Sequence, residues 1–456
     1  MNILQQLKQH ELNLDYPEEI IPRDFSSEMY VASHLSESPT GEIRLLESIL
    51  ERENIRIALQ RVKSNKGAPG IDKMTVKQLP VYLKRHWIKI RQAILDGTYD
   101  PLPVRRKEIS KPDGGVRLLG IPTVLDRLIQ QAIAQVLQKI WDYTFSEHSF
   151  GFRPGRSQHD AIKCAHEYVK AEYRTVVDMD LSKFFDRVNH DRLMSRLATK
   201  VKDKRVLKLI RKFITAGIMT DGLVSSSEEG TPQGGPLSPL LSNIVLDELD
   251  KELEKRELKF VRYADDFVIY LKSRKAGNRV KKSITKFITN KLRLQVNEEK
   301  SAVSHPWWRC YLGFSFTSSR ANPQIRIHSK SIEKFKNRIR ELTPKKSGRS
   351  IQNTIYELNL FTRGWWNYYR IATTRSQFKS LNGWIIRRLR AILWKQWKNP
   401  RTRVRNLKKL GISHSYAMTC GNSRKGSWRM SRVKWLIIAL PNNYFIQKLG
   451  LFLPGS

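Results

Sequence analysis

Apolar residues recur at helical spacing over much of the chain. The spacing predicts helices from Ile43 to Val62 and from Leu79 to Leu95, with a glycine- and proline-rich loop at 65–72 between them. A further long helical period runs over 126–143. A Gly-Gly-Pro loop near the start of 232–250 is predicted to open a helix. Its buried side would consist of Leu240, Leu241, Ile244, Val245 and Leu249.

The pattern is helical again from Ser331. Two apolar stripes at helical spacing predict two long helices. One stripe consists of Ile351, Ile355, Leu358, Trp365 and Tyr369, and the other of Ile385, Leu389, Ile392 and Leu393.

Short extended stretches interrupt the helices. Residues 104–121 are predicted to form a hairpin, because two short extended runs flank an Asp-Gly-Gly turn. The β-branched stretch 175–181 predicts a central strand. Apolar and polar residues alternate on both sides of Ala264-Asp265-Asp266, which predicts a hairpin over 260–271 with these residues near its tip. The sequence RCYLGFSF, at 309–316, predicts another short strand pair. The mixture indicates the α+β class.

The amount and distribution of charge indicate that the protein has a polyanionic partner. The chain has 83 Lys and Arg against 43 Asp and Glu, a formal net charge of +40. Residues 358–456 contain no acidic side chain and twenty basic ones, with Trp384, Trp394 and Trp397 among them. Solubilising surfaces normally mix both signs, so this distribution favours nucleic acid as the partner.

Several other classes of protein are not indicated. No apolar run approaches the ~18 residues that a membrane span needs, and the first residues lack the pattern of a secretory signal. Three separated cysteines predict neither a disulfide framework nor a zinc site. We therefore expect no membrane partner and a cytoplasmic protein, associated with the nucleoid in a bacterium, with an organelle as the alternative.

Three aspartates are the main candidates for chemistry. Asp180 closes the apolar stretch 175–181, and Asp265 and Asp266 are adjacent at a predicted turn. Neighbouring carboxylates beside apolar strands repel each other, and divalent cations relieve that cost. Hard carboxylate oxygens suit Mg²⁺, and two such ions can activate a primer 3′-hydroxyl and stabilise a leaving pyrophosphate.

The motifs carry a family resemblance. DMDLSKFFDRVNHDRL, HSFGFRPGRSQHDAI, GTPQGGPLSPLLSNIVLDELD, RYADDFVIY and YLGFSF resemble successive motifs of group II intron reverse transcriptases, over about 43–320. TIYELNLFTRGWWNYYR resembles the maturase or thumb region called domain X. The resemblance implies a right-hand polymerase of four parts. They are an N-terminal extension (1–40), fingers and palm (41–320), a thumb or domain X (321–400) and a basic DNA-binding region (401–456).

The resemblance also implies site residues. Metal ligands would be Asp180, Asp265, Asp266 and the backbone carbonyl of Leu181, with two Mg²⁺ ions and Mn²⁺ as a substitute. Phe185 would exclude a 2′-hydroxyl from the nucleotide site, although Phe184 and Phe185 also suit plain core packing. Contacts to the incoming nucleotide would come from Lys111, Arg117, Gln233 and Lys300. The glycine-rich loop at 65–72 and the GFRPGRS segment would line the template path, although both equally suit ordinary turns.

The implied function is RNA-directed DNA polymerisation by an intron-encoded protein that also binds its own intron RNA to assist splicing. Its partners would be an RNA template, a DNA primer or target, and dNTPs. Many relatives continue into an HNH endonuclease with paired cysteines and histidines. Here only His414 and Cys420 are close in sequence, so we expect no such metal site and no cleavage of a second DNA strand. The alternatives are a splicing factor with lapsed polymerase activity, a domesticated relative in phage defence, CRISPR spacer acquisition or hypermutation, and an RNA-dependent RNA polymerase.

Overall fold

The structure is a computed structural model that describes residues 44–110, 116–220, 223–225, 230, 234–344 and 348–455. Among these residues the helices, in chain order, are α1 (Leu45–Ile49), α2 (Arg52–Ser64), α3 (Leu79–Leu95), α4 (Val124–Trp141), α5 (Gln158–Lys170), α6 (His190–Ala198), α7 (Lys204–Thr215), α8 (Ser238–Lys255), α9 (Arg274–Phe287), α10 (Ser329–Leu342), α11 (Ile351–Tyr369), α12 (Arg375–Gln396), α13 (Pro400–Lys409), α14 (His414–Gly421), α15 (Ser427–Met430) and α16 (Lys434–Ala439). The predicted α+β class is confirmed.

Among the same described residues the strands are fewer than the helices, and most of them are shorter. They are β1 (Val104–Ser110), β2 (Val116–Ile121), β3 (Thr175–Met179), β4 (Ile218–Thr220), β5 (Leu223–Ser225), β6 (Lys259–Tyr263), β7 (Asp266–Leu271), β8 (Ala302–Ser304), β9 (Phe314–Phe316) and β10 (Ile325–Ile327). One sheet has the order β2-β1-β4-β5, in which β1 is antiparallel to β2 and parallel to β4. A second has the order β6-β7-β3-β8, and β9 pairs with β10. The predicted central strand, β3, is indeed interior.

The described residues fold as two compact units, each assembled from several segments of the chain. The first takes in residues of Met1–Ser157, Met179–Ile269 and Asn278–Ala302, and the second Gln158–Asp178, Tyr270–Gly277 and Val303–Ser456. In the first unit, α4 begins at an N-cap, Thr123, whose side chain accepts a hydrogen bond from the Asp126 backbone N–H at 3.1 Å. Most apolar residues of α4 are buried and belong to the core of this unit.

The second unit has a helical core that extends from Phe335 to Leu453. Both predicted apolar stripes enter it, since α11 buries Ile355 and Leu358 and α12 buries Ile385 and Leu389. Residues on either side of the predicted boundary at 400 contribute to this one cluster. The boundaries of the four predicted domains remain predictions.

One predicted element is wrong in detail. RCYLGFSF was expected to form a strand pair by itself, but it contains only β9, and the partner strand β10 lies beyond it in sequence. Tyr311 makes a single bridge to Phe314 within the segment, because Leu312 and Gly313 both adopt positive φ angles, 48° and 82°, and turn the chain.

The described residues contain no helix that is both long and apolar enough to cross a membrane. Cys164, Cys310 and Cys420 form no disulfide bond with one another.

Candidate active site

The Tyr-Ala-Asp-Asp sequence forms the predicted tight turn. β6 ends at Tyr263 and β7 begins at Asp266, so Ala264 and Asp265 are the two linking residues. Ala264 is buried and has a φ of +58°, in the left-handed region that alanine rarely adopts. Asp265 is half-buried and Asp266 is exposed. The hairpin therefore presents two successive carboxylates at the end of a buried strand pair.

Asp180 is the first residue after β3, the strand beside β7 in the sheet. Its backbone is fixed by a distant segment of the same unit. The Asp180 N–H donates to Ser301 Oγ at 3.0 Å, and the Asp180 carbonyl accepts from the Asn297 N–H at 2.8 Å. Both backbone groups of Asp180 are therefore satisfied by the segment 297–301, and the strand end is held in a defined position.

The predicted metal ligand Leu181 follows Asp180 and pairs with the same distant segment. Leu181 lies opposite Val296 in an isolated antiparallel bridge, and the flanking hydrogen bonds use the groups of Asp180 and Ser182. In such a non-hydrogen-bonded pair, the carbonyl of the central residue points away from the partner strand. The Leu181 carbonyl is thus outside this ladder, while the side chain of Leu181 is buried.

The donor atoms suit magnesium. Carboxylate and carbonyl oxygens at 180, 181, 265 and 266 are hard ligands, and Mg²⁺ typically takes one or two carboxylates and completes its shell with water and substrate phosphates. In the described part of the chain, no three His, Cys, Asp or Glu side chains are gathered into a metal-binding group. A site of this kind, completed by nucleotide phosphates, does not need three carboxylates in mutual contact beforehand.

The two phenylalanines after Asp180 have different environments. They begin a short 3₁₀ helix, Phe184–Arg187, and their rings meet edge to face with centroids 5.3 Å apart. Phe184 is buried in the core, whereas Phe185 is only half-buried. Plain core packing therefore accounts for Phe184, and the partly exposed ring of Phe185 is the one that remains a candidate for contact with the nucleotide sugar.

Lys300 belongs to the turn that fixes Asp180. Its backbone N–H donates to Asn297 Oδ1 at 3.3 Å, and the next residue, Ser301, donates its N–H to the Asn297 carbonyl at 2.9 Å. Lys300 is exposed. Lys300 is therefore part of the segment 297–301 that contacts the backbone of Asp180.

The other predicted nucleotide contacts lie at or beyond the described residues. Lys111 and Gln233 are outside them, and for Arg117 only the backbone is described, paired with Ile109 in the β1–β2 hairpin. The glycines after Gln233 do permit close approach. A Cβ on Gly234 would lie 2.6 Å from the Gly120 carbonyl oxygen, so a larger residue would displace the loop from β2.

Two arginines with internal partners hold the segments predicted to line the template path. Arg153, in GFRPGRS, is buried and donates to the carbonyls of Ser146, Ser149 and Asp142 and to the Asp142 carboxylate. Arg127 donates to the Ala68 carbonyl of the 65–72 loop at 2.6 Å, and burial lowers the pKa of this guanidinium. Arg153 stabilises the turn around it, as the alternative interpretation of this segment expected.

Sequence reasoning missed Arg262. The alternating pattern placed it at a polar position of β6, yet the structure buries its side chain completely, in an ion pair with the equally buried Asp250 of α8. β6 is buried on both faces at this point, so alternation does not mark an outward position. The one available signal was a charged residue inside an otherwise apolar strand.

Comparison with known proteins agrees with this arrangement of motifs. The family model "Reverse transcriptase (RNA-dependent DNA polymerase)" matches residues 109–316, and "Group II intron, maturase-specific domain" matches residues 332–411. Protein YkfC of Escherichia coli (strain K12) is 34% identical over 302 residues, which cover 58% of this chain and 79% of YkfC. The chain belongs to the family of group II intron reverse transcriptases and maturases. It is therefore a reverse transcriptase, an RNA-directed DNA polymerase, as the motifs predicted.

A second member of this family is similar to the same extent. The group II intron-encoded protein LtrA of Lactococcus lactis subsp. cremoris is 34% identical over 332 residues, which cover 58% of this chain but only 54% of LtrA. The chain thus spans about half the length of LtrA. Among solved structures, a partial Cas6-RT-Cas1–Cas2 complex is 26% identical and covers 55% of this chain and 43% of the matched chain, with a TM-score of 0.35.

Proposed function

We propose that the chain extends a DNA primer along an RNA template with Asp180, Asp265 and Asp266 as the ligands of two Mg²⁺ ions. The observation that supports this best is the position of the carboxylates. Asp265 and Asp266 occupy the turn into β7, and Asp180 directly follows β3, the neighbouring strand. The outward carbonyl of Leu181 adds a fourth hard oxygen donor.

The chain's own residues would bind and orient the reactants. Two Mg²⁺ ions held by the aspartates would lower the pKa of the primer 3′-hydroxyl and stabilise the leaving pyrophosphate oxygen. Lys111 and Arg117 would hold the triphosphate by charge-assisted hydrogen bonds, and Gln233 would contact the nucleotide. Lys300 would donate a proton to the pyrophosphate. The ring of Phe185 would leave no room for a ribose 2′-hydroxyl.

Nucleic-acid binding is supported by the charge of the second unit. Helix α13 exposes four basic side chains at helical spacing, which we call the α13 basic stripe: Arg401, Arg405, Lys408 and Lys409. They line a cavity of about 480 Å³ that reaches His414 and Met418 of α14. A one-sided row of cations on a helix suits the phosphate backbone of RNA or DNA.

The intron-encoded role rests on the maturase match. The maturase-specific domain model spans α10 to α13, and LtrA is by its name encoded in a group II intron. We infer that the chain binds the group II intron RNA from which it is encoded and assists its splicing and mobility. The alternatives are a domesticated enzyme in defence or spacer acquisition, and a maturase with lapsed polymerase activity. Intron RNA domains flanking the reading frame would favour the intron-encoded role over domestication.

Primer extension tests the polymerase site. The native chain, an RNA template, a DNA primer, dNTPs and Mg²⁺ should give full-length product, and chelation with EDTA should abolish it until Mg²⁺ is restored. Asp265→Asn, which nearly preserves size but removes a charge, should abolish extension and leave RNA binding unchanged. The matched control is Asp191→Asn, at an exposed ion pair with Arg211, which should extend normally.

Two results would contradict this proposal. Extension by Asp265→Asn at the native rate would exclude that carboxylate as a metal ligand. A folded native chain that binds RNA but extends no primer would favour the lapsed maturase. A splicing assay on the flanking RNA separates the two activities, because Asp265→Asn should still assist splicing when extension is lost.

A further inference from the structure

The side chain of Arg262 is fully buried and every N–H of its guanidinium has an acceptor. The acceptors are both carboxylate oxygens of Asp250, Ser149 Oγ at 2.7 Å, and Asn243 Oδ1 and the Ala264 carbonyl, each at 2.9 Å. Planar donors in a fixed fork can satisfy such a set, and no other side chain carries five of them. The network joins β6, α8 and the segment before GFRPGRS to the turn that carries Asp265.

The hydrogen bond from Arg262 to the Ala264 carbonyl stabilises a backbone conformation that is unfavourable for alanine. With a φ of +58°, Ala264 adopts a conformation that persists in a non-glycine residue only where the surroundings hold it. Its carbonyl belongs to the peptide bond that it shares with Asp265. The orientation of that peptide plane, which Arg262 restrains at the oxygen, therefore helps to set the direction in which the Asp265 side chain leaves the turn.

The turn is also held from a second direction by the segment 148–151. The Arg262 N–H donates to the His148 carbonyl and the Arg262 carbonyl accepts from the Phe150 N–H, both at 2.9 Å. A Cβ on Gly151 would lie 2.2 Å from the Ala264 nitrogen, so the glycine backbone is already in contact with the turn. Asn243 donates to the Gly151 carbonyl at 2.8 Å and links this contact to the same network.

We propose that Arg262 is a positioning residue, which fixes the Ala264–Asp265 peptide and so presents Asp265 and Asp266 to the metal ions. The proposal rests on the assignment of these aspartates under the proposed function. A simpler role for Arg262 is to neutralise Asp250 in the core, and that role would need neither the bond to Ala264 nor the contact with Gly151. The two roles differ in what a substitution does to metal binding.

The test measures single-turnover primer extension by Arg262→Lys and by control variants, with the rate counted per active site. Arg262→Lys keeps the charge but cannot reach all five acceptors. It should lower the extension rate about ten- to hundredfold, since displacement of a catalytic group by about 1 Å has effects of this size. It should also raise the Mg²⁺ concentration for half-maximal rate at least about fivefold, while the KM for the primer–template changes little.

One control separates positioning from core stability. Arg196→Lys disturbs another arginine pair with a buried aspartate of α8, Asp247, whose ion-pair partners are Arg196 and Lys251. This variant should lower the midpoint of thermal unfolding and leave the Mg²⁺ dependence within about twofold of native. An unchanged Mg²⁺ dependence and rate in Arg262→Lys would overturn the proposal and leave Arg262 as a core ion pair.

A variant with native Arg262 covers the case in which Arg262→Lys does not fold. Gly151→Ala pushes a methyl group against the Ala264 nitrogen and should raise the Mg²⁺ requirement in the same way, and a native requirement in the folded variant would overturn the proposal. Asp265→Asn, measured alongside, distinguishes a wrong metal assignment from a wrong role for Arg262. Activity in Asp265→Asn would overturn the metal assignment together with the role of Arg262, whereas its loss beside a native-like Arg262→Lys would overturn only the latter.

Discussion

The backbone N–H of Asp180 donates a hydrogen bond to Ser301 Oγ at 3.0 Å, although 121 residues separate the two in sequence. Ser301 is buried and adjoins Lys300, so the same short turn fixes the end of β3 and contains a candidate contact of the nucleotide. This hydrogen bond helps to hold Asp180, a proposed metal ligand, in a defined position at the end of β3. The Ser301 side chain can therefore be removed without changing any of the three aspartates.

Ser301→Ala should therefore lower both stability and activity. The Asp180 N–H would lose its acceptor in a partly buried position, at a cost of about 1–3 kcal/mol in the free energy of unfolding. We expect the single-turnover extension rate to fall about tenfold. Ser242→Ala is the control, because its hydroxyl donates to the Ser238 carbonyl within α8 and its loss should not change the extension rate. Urea unfolding and primer extension measure the two effects, and a native rate in Ser301→Ala would contradict the expectation.

The half-buried ring of Phe185 predicts a change in sugar discrimination. Phe185→Ala should open space for a 2′-hydroxyl and raise the efficiency of rNTP incorporation relative to dNTP about 10–200-fold, the usual range for a steric contact of this kind. Phe184→Leu should lower the free energy of unfolding by about 1 kcal/mol, since it alters a buried ring, and leave discrimination unchanged. The measurement is kcat/KM for each nucleotide on one primer–template. Equal discrimination in native and Phe185→Ala protein would exclude Phe185 as the selecting residue.

Much of the fold was predictable because local pattern and burial agree. α3 begins at Leu79 and ends at Leu95 as its periodicity predicts, and the predicted apolar face of α8 is buried. The hairpin around Asp265 was predictable for the same reason, since a polar turn separates two apolar runs. These features depend on neighbours in sequence, which a single sequence displays directly.

The arrangement around the aspartates was not predictable, because it depends on contacts between distant segments. Nothing local marks Ser301 as the acceptor for Asp180, or Asp250 as the partner of Arg262. The alternation rule assigned Arg262 to a polar face because it assumes one solvated side of the sheet, and β6 has none at that position. The partner of β9 was missed for a related reason, since β10 pairs with it only after the chain has passed through 317–324.

The α13 basic stripe predicts a change in the salt dependence of nucleic-acid binding. The double substitution Arg401→Gln with Arg405→Gln should weaken binding to RNA or DNA of any sequence. It should also reduce the slope of log K against log salt by about 1.4–1.8, or about 0.7–0.9 for each lost phosphate contact. Lys204→Gln with Lys208→Gln removes the same charge at the same spacing from α7, where both side chains are exposed. That control should leave the slope nearly unchanged. Fluorescence anisotropy titrations at several salt concentrations measure it, and equal slopes in all three proteins would exclude the stripe as a phosphate contact.

The ion pair between Glu47 and Arg205 predicts a pH-dependent contribution to stability. Hydrogen bonds from the Arg205 guanidinium, at 2.7 and 2.8 Å, lower the pKa of Glu47 in the folded protein. The folded state then binds the proton less tightly than the unfolded state, so the contribution is present above the unfolded pKa and is lost as the pH falls through the folded pKa. Because the Glu47 side chain is 38% exposed, we expect only about 0.5–1 kcal/mol from it at neutral pH.

Glu47→Gln should lower the free energy of urea unfolding by that amount at pH 7, and the difference from native should disappear in acid. Glu333→Gln, at an exposed position of α10, controls for the loss of a surface carboxylate, and a difference for Glu47→Gln that stays constant with pH would exclude the ion pair as its cause.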